Sequence, residues 1–155
     1  MLFAKYGQAI LTLQERSSRL LLATKPANKE ALPIANMIAG LLQPFPTELR
    51  RSITFDNGTE FARHYELHRL AIDTFFCDPY APWQKGGVEN AIGRMRRSIP
   101  RKTDLANLST HQLSSLVCAY NNTPRKCLDW SSPAEVFLTS LLHFGWESTS
   151  PPSRG

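Results

Sequence analysis

The chain has 155 residues, 42% of them hydrophobic, which is enough for one domain with a packed core and short for two. Eighteen Lys and Arg against thirteen Asp and Glu leave a net charge of +5, a balance that favours a polyanionic partner without establishing one. The longest aliphatic run, Leu20-Leu21-Leu22-Ala23, is far too short to cross a bilayer and no signal-peptide pattern opens the chain, so no membrane partner is expected and the protein reads as cytoplasmic.

In chain order, Met1-Leu2-Phe3 reads as the last residues of a strand. Ala9 to Leu13 and Leu20 to Thr24 read as a hairpin around the polar turn Glu15–Arg19. Asn28 is placed to cap a helix whose apolar positions Ala31, Ile34, Ile38, Leu41 and Leu42 recur at helical spacing until Pro44 and Pro46 stop it. Leu49 to Phe55 then predicts a strand, Thr59 to Ala71 an amphipathic helix with Phe61, Tyr65 and Leu70 on one side, and Ile72 to Cys77 a short strand. Two prolines and two glycines between Asp78 and Gly87 predict an irregular loop. It delivers the chain to a helix over about 88–98 with Val88, Ile92, Met95 and Ile99 as its buried stripe. Ser109 with Gln112, and Ser132-Pro133-Ala134-Glu135, are capping boxes for two more helices, the second running to about Leu142. Residues 143–155, rich in Ser, Pro and Gly, read as a disordered tail behind a 1–142 core. The order of elements points to a mixed sheet with helices on its faces, an α/β fold. Three scattered cysteines, Cys77, Cys118 and Cys127, argue against a disulfide framework and read as buried thiols.

Two acids stand out. Asp56 ends the apolar strand Ile53-Thr54-Phe55 and turns at once through Asn57-Gly58, and Glu89 opens a helix after Lys85-Gly86-Gly87-Val88. A carboxylate at a strand's carboxyl end and another in a helix's first turn are rigid oxygen ligands of the kind that Mg²⁺ requires. Two such metals about 4 Å apart can activate an attacking oxygen and stabilise a leaving one in phosphodiester chemistry. Taken singly, each acid has an ordinary explanation, since Asx-Gly pairs form turns and the helix dipole favours an acid in the first turn.

Three stretches in fixed order carry a family resemblance: Ile53–Phe61, Phe76–Asn90 and Tyr120–Leu128. They resemble the catalytic core of DDE transposases, specifically the insertion-sequence-thirty family, over the chain from its first residues to about Phe137. The resemblance implies a ribonuclease-H-like fold, here with its first strand largely missing. It also implies DNA cutting and joining with two Mg²⁺ or Mn²⁺ ions held by Asp, Asp and Glu. Matched position by position, Asp56 takes the place of the second acid and Glu89 the third. The first acid would precede Met1, and Glu15, Asp73 and Asp78 are not placed to substitute for it. The family's N-terminal helix-turn-helix region is not in the sequence either. The resemblance therefore implies a catalytic core cut short by gene decay or a wrongly chosen start, weakly stable and inactive by itself. The alternative is a non-catalytic DNA-binding or dimerising remnant that modulates a full-length relative. Implied partners are DNA, as element ends and target, and further copies of the chain or of a full-length transposase at the bacterial nucleoid.

The basic residues have a matching reading. Lys85 lies between the loop and the helix of Glu89, where it could meet a DNA phosphate. Arg94, Arg97 and Arg101, three and four apart, would make a phosphate track continued by Lys102, against the competing reading of a solvated face. Arg125 or Lys126 in the late motif could also touch DNA. Tyr80 and Trp83 could stack on a base, although anchoring their loop to the core is the favoured reading. His64 and His68, four apart, with Cys77 could bind Zn²⁺, but no supporting spacing accompanies them and surface histidines are the favoured reading.

Overall fold

The structure, a computed structural model, describes residues 2–3, 8–99 and 103–149. Its centre is β2 (Ala9–Gln14), the run Ala-Ile-Leu-Thr-Leu-Gln. β2 pairs antiparallel with β1 (Leu2–Phe3), Leu2 opposite Ile10, and antiparallel with β3 (Leu21–Thr24), Leu11 opposite Thr24. Because successive side chains of a strand face opposite ways, Ile10 and Leu11 enter different cores. Ile10 and Leu21 pack with Ala91, Met95, Ile99, Leu105, Leu113 and Tyr120. On the other face Leu11 packs with Ile34, Ile38, Ala39, Phe55, Phe61, Leu67 and Ile72. A strand covered on both sides reads as continuous apolar sequence rather than as alternation, and this one does.

The first core lies under α2 (Gly86–Ser98) and α3 (Thr110–Asn121), the second under α1 (Ala31–Leu42). A second, parallel pair, β4 (Ser52–Phe55) with β5 (Asp73–Phe76), runs in register from Ser52 opposite Asp73 to Phe55 opposite Phe76. Among the described residues β4 and β5 pair only with each other, so the sheet is in two parts. β1 is two residues long.

Several expectations need correction. The segment after Asp56 is not an α-helix but two 3₁₀ pieces, Thr59–Phe61 and His64–Leu70. Phe61 and Leu67 are its buried residues, while Tyr65 is exposed, because three residues per turn align a different set of positions. α1 begins at Ala31 with Glu30 as its N-cap, and Asn28 Oδ1 accepts from the Glu30 amide (3.1 Å). β4 starts at Ser52, after a 3₁₀ turn at Thr47–Leu49. The stretch 82–87 is regular: Pro82–Lys85 forms a 3₁₀ turn that continues into α2, with both glycines inside the helix. Only Cys77 of the three cysteines is buried.

Both capping boxes form. Ser109 Oγ accepts from the Gln112 amide (3.1 Å) and Gln112 Oε1 from the Ser109 amide (2.8 Å). The Ser132 amide donates to Glu135 Oε2 (2.7 Å) and the Glu135 amide to Ser132 Oγ (3.3 Å), opening α4 (Pro133–Thr149), which runs on past Leu142. Residues 150–155 of the expected tail lie outside the described residues. No helix among the described residues is long and apolar enough to cross a membrane.

Candidate active site

Asp56 is the residue that follows β4. Phe55 before it is buried, stacked on Phe61 with ring centroids 4.7 Å apart and packed against Phe76 at 5.7 Å. That aromatic cluster fixes the end of the strand and the backbone of Asp56 with it. The carboxylate oxygen Oδ1 of Asp56 is buried and has no hydrogen-bond partner. An orphaned buried acceptor costs about 1–3 kcal/mol, and more when charged. Its retention calls for an explanation, of which a bound cation is one. This donor therefore fits a hard divalent ion.

The frame around Asp56 leads to Glu89. Asn57 Nδ2 donates to the Cys77 carbonyl (3.1 Å), and the Cys77 amide to the Phe55 carbonyl (2.9 Å), so the ends of β4 and β5 are tied together. Beyond β5, the Asp78 amide donates to Gln84 Oε1 and Gln84 Nε2 donates back to Asp78 Oδ2, both at 2.8 Å. This closes the loop into a ring whose last member sits one residue before Lys85, the residue at the N-terminal boundary of α2. Glu89 stands exposed in the first turn of that helix, where the macrodipole favours a negative charge. Sequence reasoning gave no part to Asn57 and Gln84; their side-chain amides at the edges of the two acid motifs were the available signal. Gly58 has φ −75°, so the bend after Asp56 makes no use of the left-handed freedom of glycine.

Among the basic residues, Lys85 is half-buried, and Arg94 and Arg97 are exposed on α2. Arg94 Nε donates to Asn90 Oδ1 at 2.9 Å. Arg101 and Lys102 lie outside the described residues. α2 ends at Ser98, with Ile99 at φ −124° and ψ 83°.

Arg125 is corrected outright. It is 7% exposed, its guanidinium lies 4.4 Å over the Tyr120 ring, and Nη2 donates to the Tyr120 carbonyl at 2.9 Å. Burial pulls its pKa below the ordinary arginine value, the Tyr120 hydroxyl opposes this, and the charge of Arg94 adds to it. A side chain held in this way is scaffold rather than a DNA contact. Tyr80 and Trp83 go the other way: they are 99% and 76% exposed, so they do not anchor their loop to the core. His64 Nδ1 and His68 Nε2 both meet Thr74 Oγ1, at 2.7 and 3.0 Å, while Cys77 is buried. Among the described residues no group of three His, Cys, Asp or Glu side chains is arranged to hold a metal.

No family model matches the chain. The transposase for insertion sequence element IS1086 of Cupriavidus metallidurans is 39% identical over 136 residues, 87% of this chain. Transposase InsI for insertion sequence element IS30A of Escherichia coli K12 is 37% identical over 128 residues, 82% of this chain. This chain is homologous to the insertion-sequence-thirty transposases. The transposase for insertion sequence element IS4351 of Bacteroides fragilis is also 37% identical, over 130 residues and 83% of the chain. The chain spans 40%, 33% and 40% of the lengths of these three relatives. Among solved structures, the catalytic core domain of BIV integrase superposes with a TM-score of 0.68 at 23% identity, covering 93% of each chain. This establishes the ribonuclease-H-like integrase-core fold expected from the sequence.

Proposed function

We propose that this transposase homologue is the catalytic portion of an enzyme that cuts and joins DNA by phosphodiester chemistry, with Asp56 and Glu89 as its metal-binding acids. The observation that carries the reading is the buried, partnerless Oδ1 of Asp56 at the end of a strand locked by Phe55, Phe61 and Phe76. Divalent Mg²⁺ or Mn²⁺, two ions by the family resemblance, would supply charge neutralisation at the attacking and leaving oxygens. The chain's own contribution is positional. Asn57 and the Asp78–Gln84 ring hold the loop between the two acids, and exposed Arg94 and Arg97, with Lys85 at the start of their helix, offer cations to DNA phosphates. Tyr80 and Trp83, projecting from the loop, supply faces on which an unpaired base can stack.

Two acids neutralise one shared metal poorly, so the 155-residue chain by itself is expected to bind Mn²⁺ weakly and to show no strand transfer. The test is Mn²⁺ titration followed by electron paramagnetic resonance. Asp56→Asn and Glu89→Gln should each abolish the bound-ion signal, and unchanged titration curves for both variants would remove the basis of the reading. Strand transfer by the chain with Mn²⁺ that Asp56→Ala abolishes would refute the inactivity.

One observation favours a second reading, in which the chain acts by pairing with another copy or with a longer transposase. Leu138 and Leu142, one helical turn apart on α4, are 52% and 65% exposed. Sedimentation of the wild type beside Leu138→Ser/Leu142→Ser decides it, since a monomeric wild type leaves that face without a role in self-pairing.

A further inference from the structure

The late motif Tyr120–Arg125 is a conspicuous part of the sequence, and its contacts run inward. Tyr120 is 9% exposed and belongs to the core beneath α2. Its hydroxyl accepts from Gln14 Nε2 at 3.1 Å, across 106 residues of sequence. Gln14 Nε2 also reaches the Arg19 carbonyl at 3.4 Å, so the amide of Gln14 is held from two sides at the end of β2. Its other atom, Oε1, faces the first turn of α2: a Cβ placed on Gly87 would stand 2.9 Å from it and 3.2 Å from Arg19 Nη1. The missing side chain at position 87 is what lets the helix start come this close. Behind Tyr120, Arg125 stacks on the ring and bonds its carbonyl, while Asn121 binds both the amide and the carbonyl of Leu21, each at 2.9 Å. The C-terminal end of α3 is thereby fastened to edge strand β3, and the hydroxyl of Tyr120 is held in a set place.

We infer that Gln14, Tyr120 and Arg125 form a positioning brace that sets the first turn of α2, and so the carboxylate of Glu89, against the end of β2. None of the three is a metal ligand or a DNA contact in this assignment. They act through Gly87, two residues before the acid. The inference rests on the reading of Glu89 as a metal ligand for its functional meaning, and on geometry alone for its mechanical content.

The two parts are separable by experiment. Tyr120→Phe removes the hydroxyl and keeps the ring under Arg125; Gln14→Met keeps the length and removes the amide; Gly87→Ala inserts the methyl that would displace Gln14 while favouring the helix intrinsically. Native-state hydrogen exchange is followed at the amides of Asn90 and Ala91, which in an α-helix beginning at Gly86 close on the carbonyls of residues 86 and 87, with the amides of Met95 and Leu116 as internal references. Tyr120→Phe and Gln14→Met should each speed exchange at 90 and 91 about fivefold, the size expected for one net hydrogen bond, with no change at 95 or 116, whereas in Gly87→Ala the gain in helix propensity offsets a loss of that size. Tyr120→Phe with Gln14→Met should do no more than either alone, as members of one contact do. Mn²⁺ affinity should fall several-fold in all three, and Gly87→Ala should lose it without losing urea stability. In Tyr120→Phe and Gln14→Met, uniform acceleration along α2 and α3, or none at 90 and 91, overturns the brace. If the exchange pattern appears but Glu89→Gln leaves Mn²⁺ binding intact, the brace stands as mechanics and the metal reading of Glu89 falls.

Discussion

At the scale of single residues, the side chains that the sequence made conspicuous divide into those that face solvent and those that hold the frame. Asp56 keeps an orphaned oxygen, so replacing its charge relieves a cost that the fold bears. Asp56→Asn is expected to raise, not lower, the urea midpoint of the metal-free chain, a pattern found where function and stability oppose each other. Glu15, rejected as a catalytic acid from its place in the turn, has a structural post. Burial would raise its pKa, but hydrogen bonds from the Ser17 amide, the Ser18 hydroxyl and amide and the Arg16 amide outweigh this and hold it below the ordinary carboxylate value. A group whose pKa is depressed by folding contributes stability above its unfolded value, and loses that contribution as the pH falls through the folded one. The stability difference between wild type and Glu15→Gln should therefore be full at pH 7 and shrink on acidification below about 4.5. Thermal unfolding at several pH values measures it, and a difference that persists unchanged to pH 3 contradicts the role.

At the scale of elements, periodicity served well where one turn rule held and failed where two competed. α3 and its capping box were legible because Ser109, Gln112 and the apolar spacing agree on the same boundaries. Removing the cap by Ser109→Ala should cost about 1 kcal/mol in urea unfolding. The segment 59–71 misled because Phe61 and Tyr65, four apart, suggest a helical period, yet Leu70 would fall on the opposite side of an α-helix from Phe61, and the buried residues are Phe61 and Leu67 of two 3₁₀ pieces, the second closed by a φ of 56° at Ala71. The start of α2 misled for the opposite reason. Gly86 and Gly87 are poor helix formers, and it is the close approach of Gln14 and Arg19, invisible in local sequence, that gives glycine a use there.

At the scale of the whole molecule, two cores hang on one strand, with Ile10 in one and Leu11 in the other. Truncating either should cost about 2–5 kcal/mol and, because β2 is shared, should lower both halves in one cooperative transition; separate unfolding of 52–76 would contradict that. On the proposed function, the excess positive charge is expected to give DNA binding that weakens with salt. Arg94→Gln and Arg97→Gln should each reduce the slope of log K against log salt by roughly 0.7–0.9 on single- or double-stranded DNA, measured by fluorescence anisotropy, while Arg125→Gln should unfold the motif around Tyr120 rather than change the slope.

The sequence by itself determined the α/β class, most element positions, both helix caps, and the two acid motifs with their family likeness, because each is written in local spacing or in short contiguous runs. Tertiary structure decided which polar residues of those runs are buried. Arg125 reads as a surface cation and is packed on Tyr120, while Tyr80 and Trp83 read as loop anchors and stand in solvent. Burial depends on what arrives from elsewhere in the chain: Gln14 meets Tyr120 across 106 positions, and no local pattern encodes that meeting.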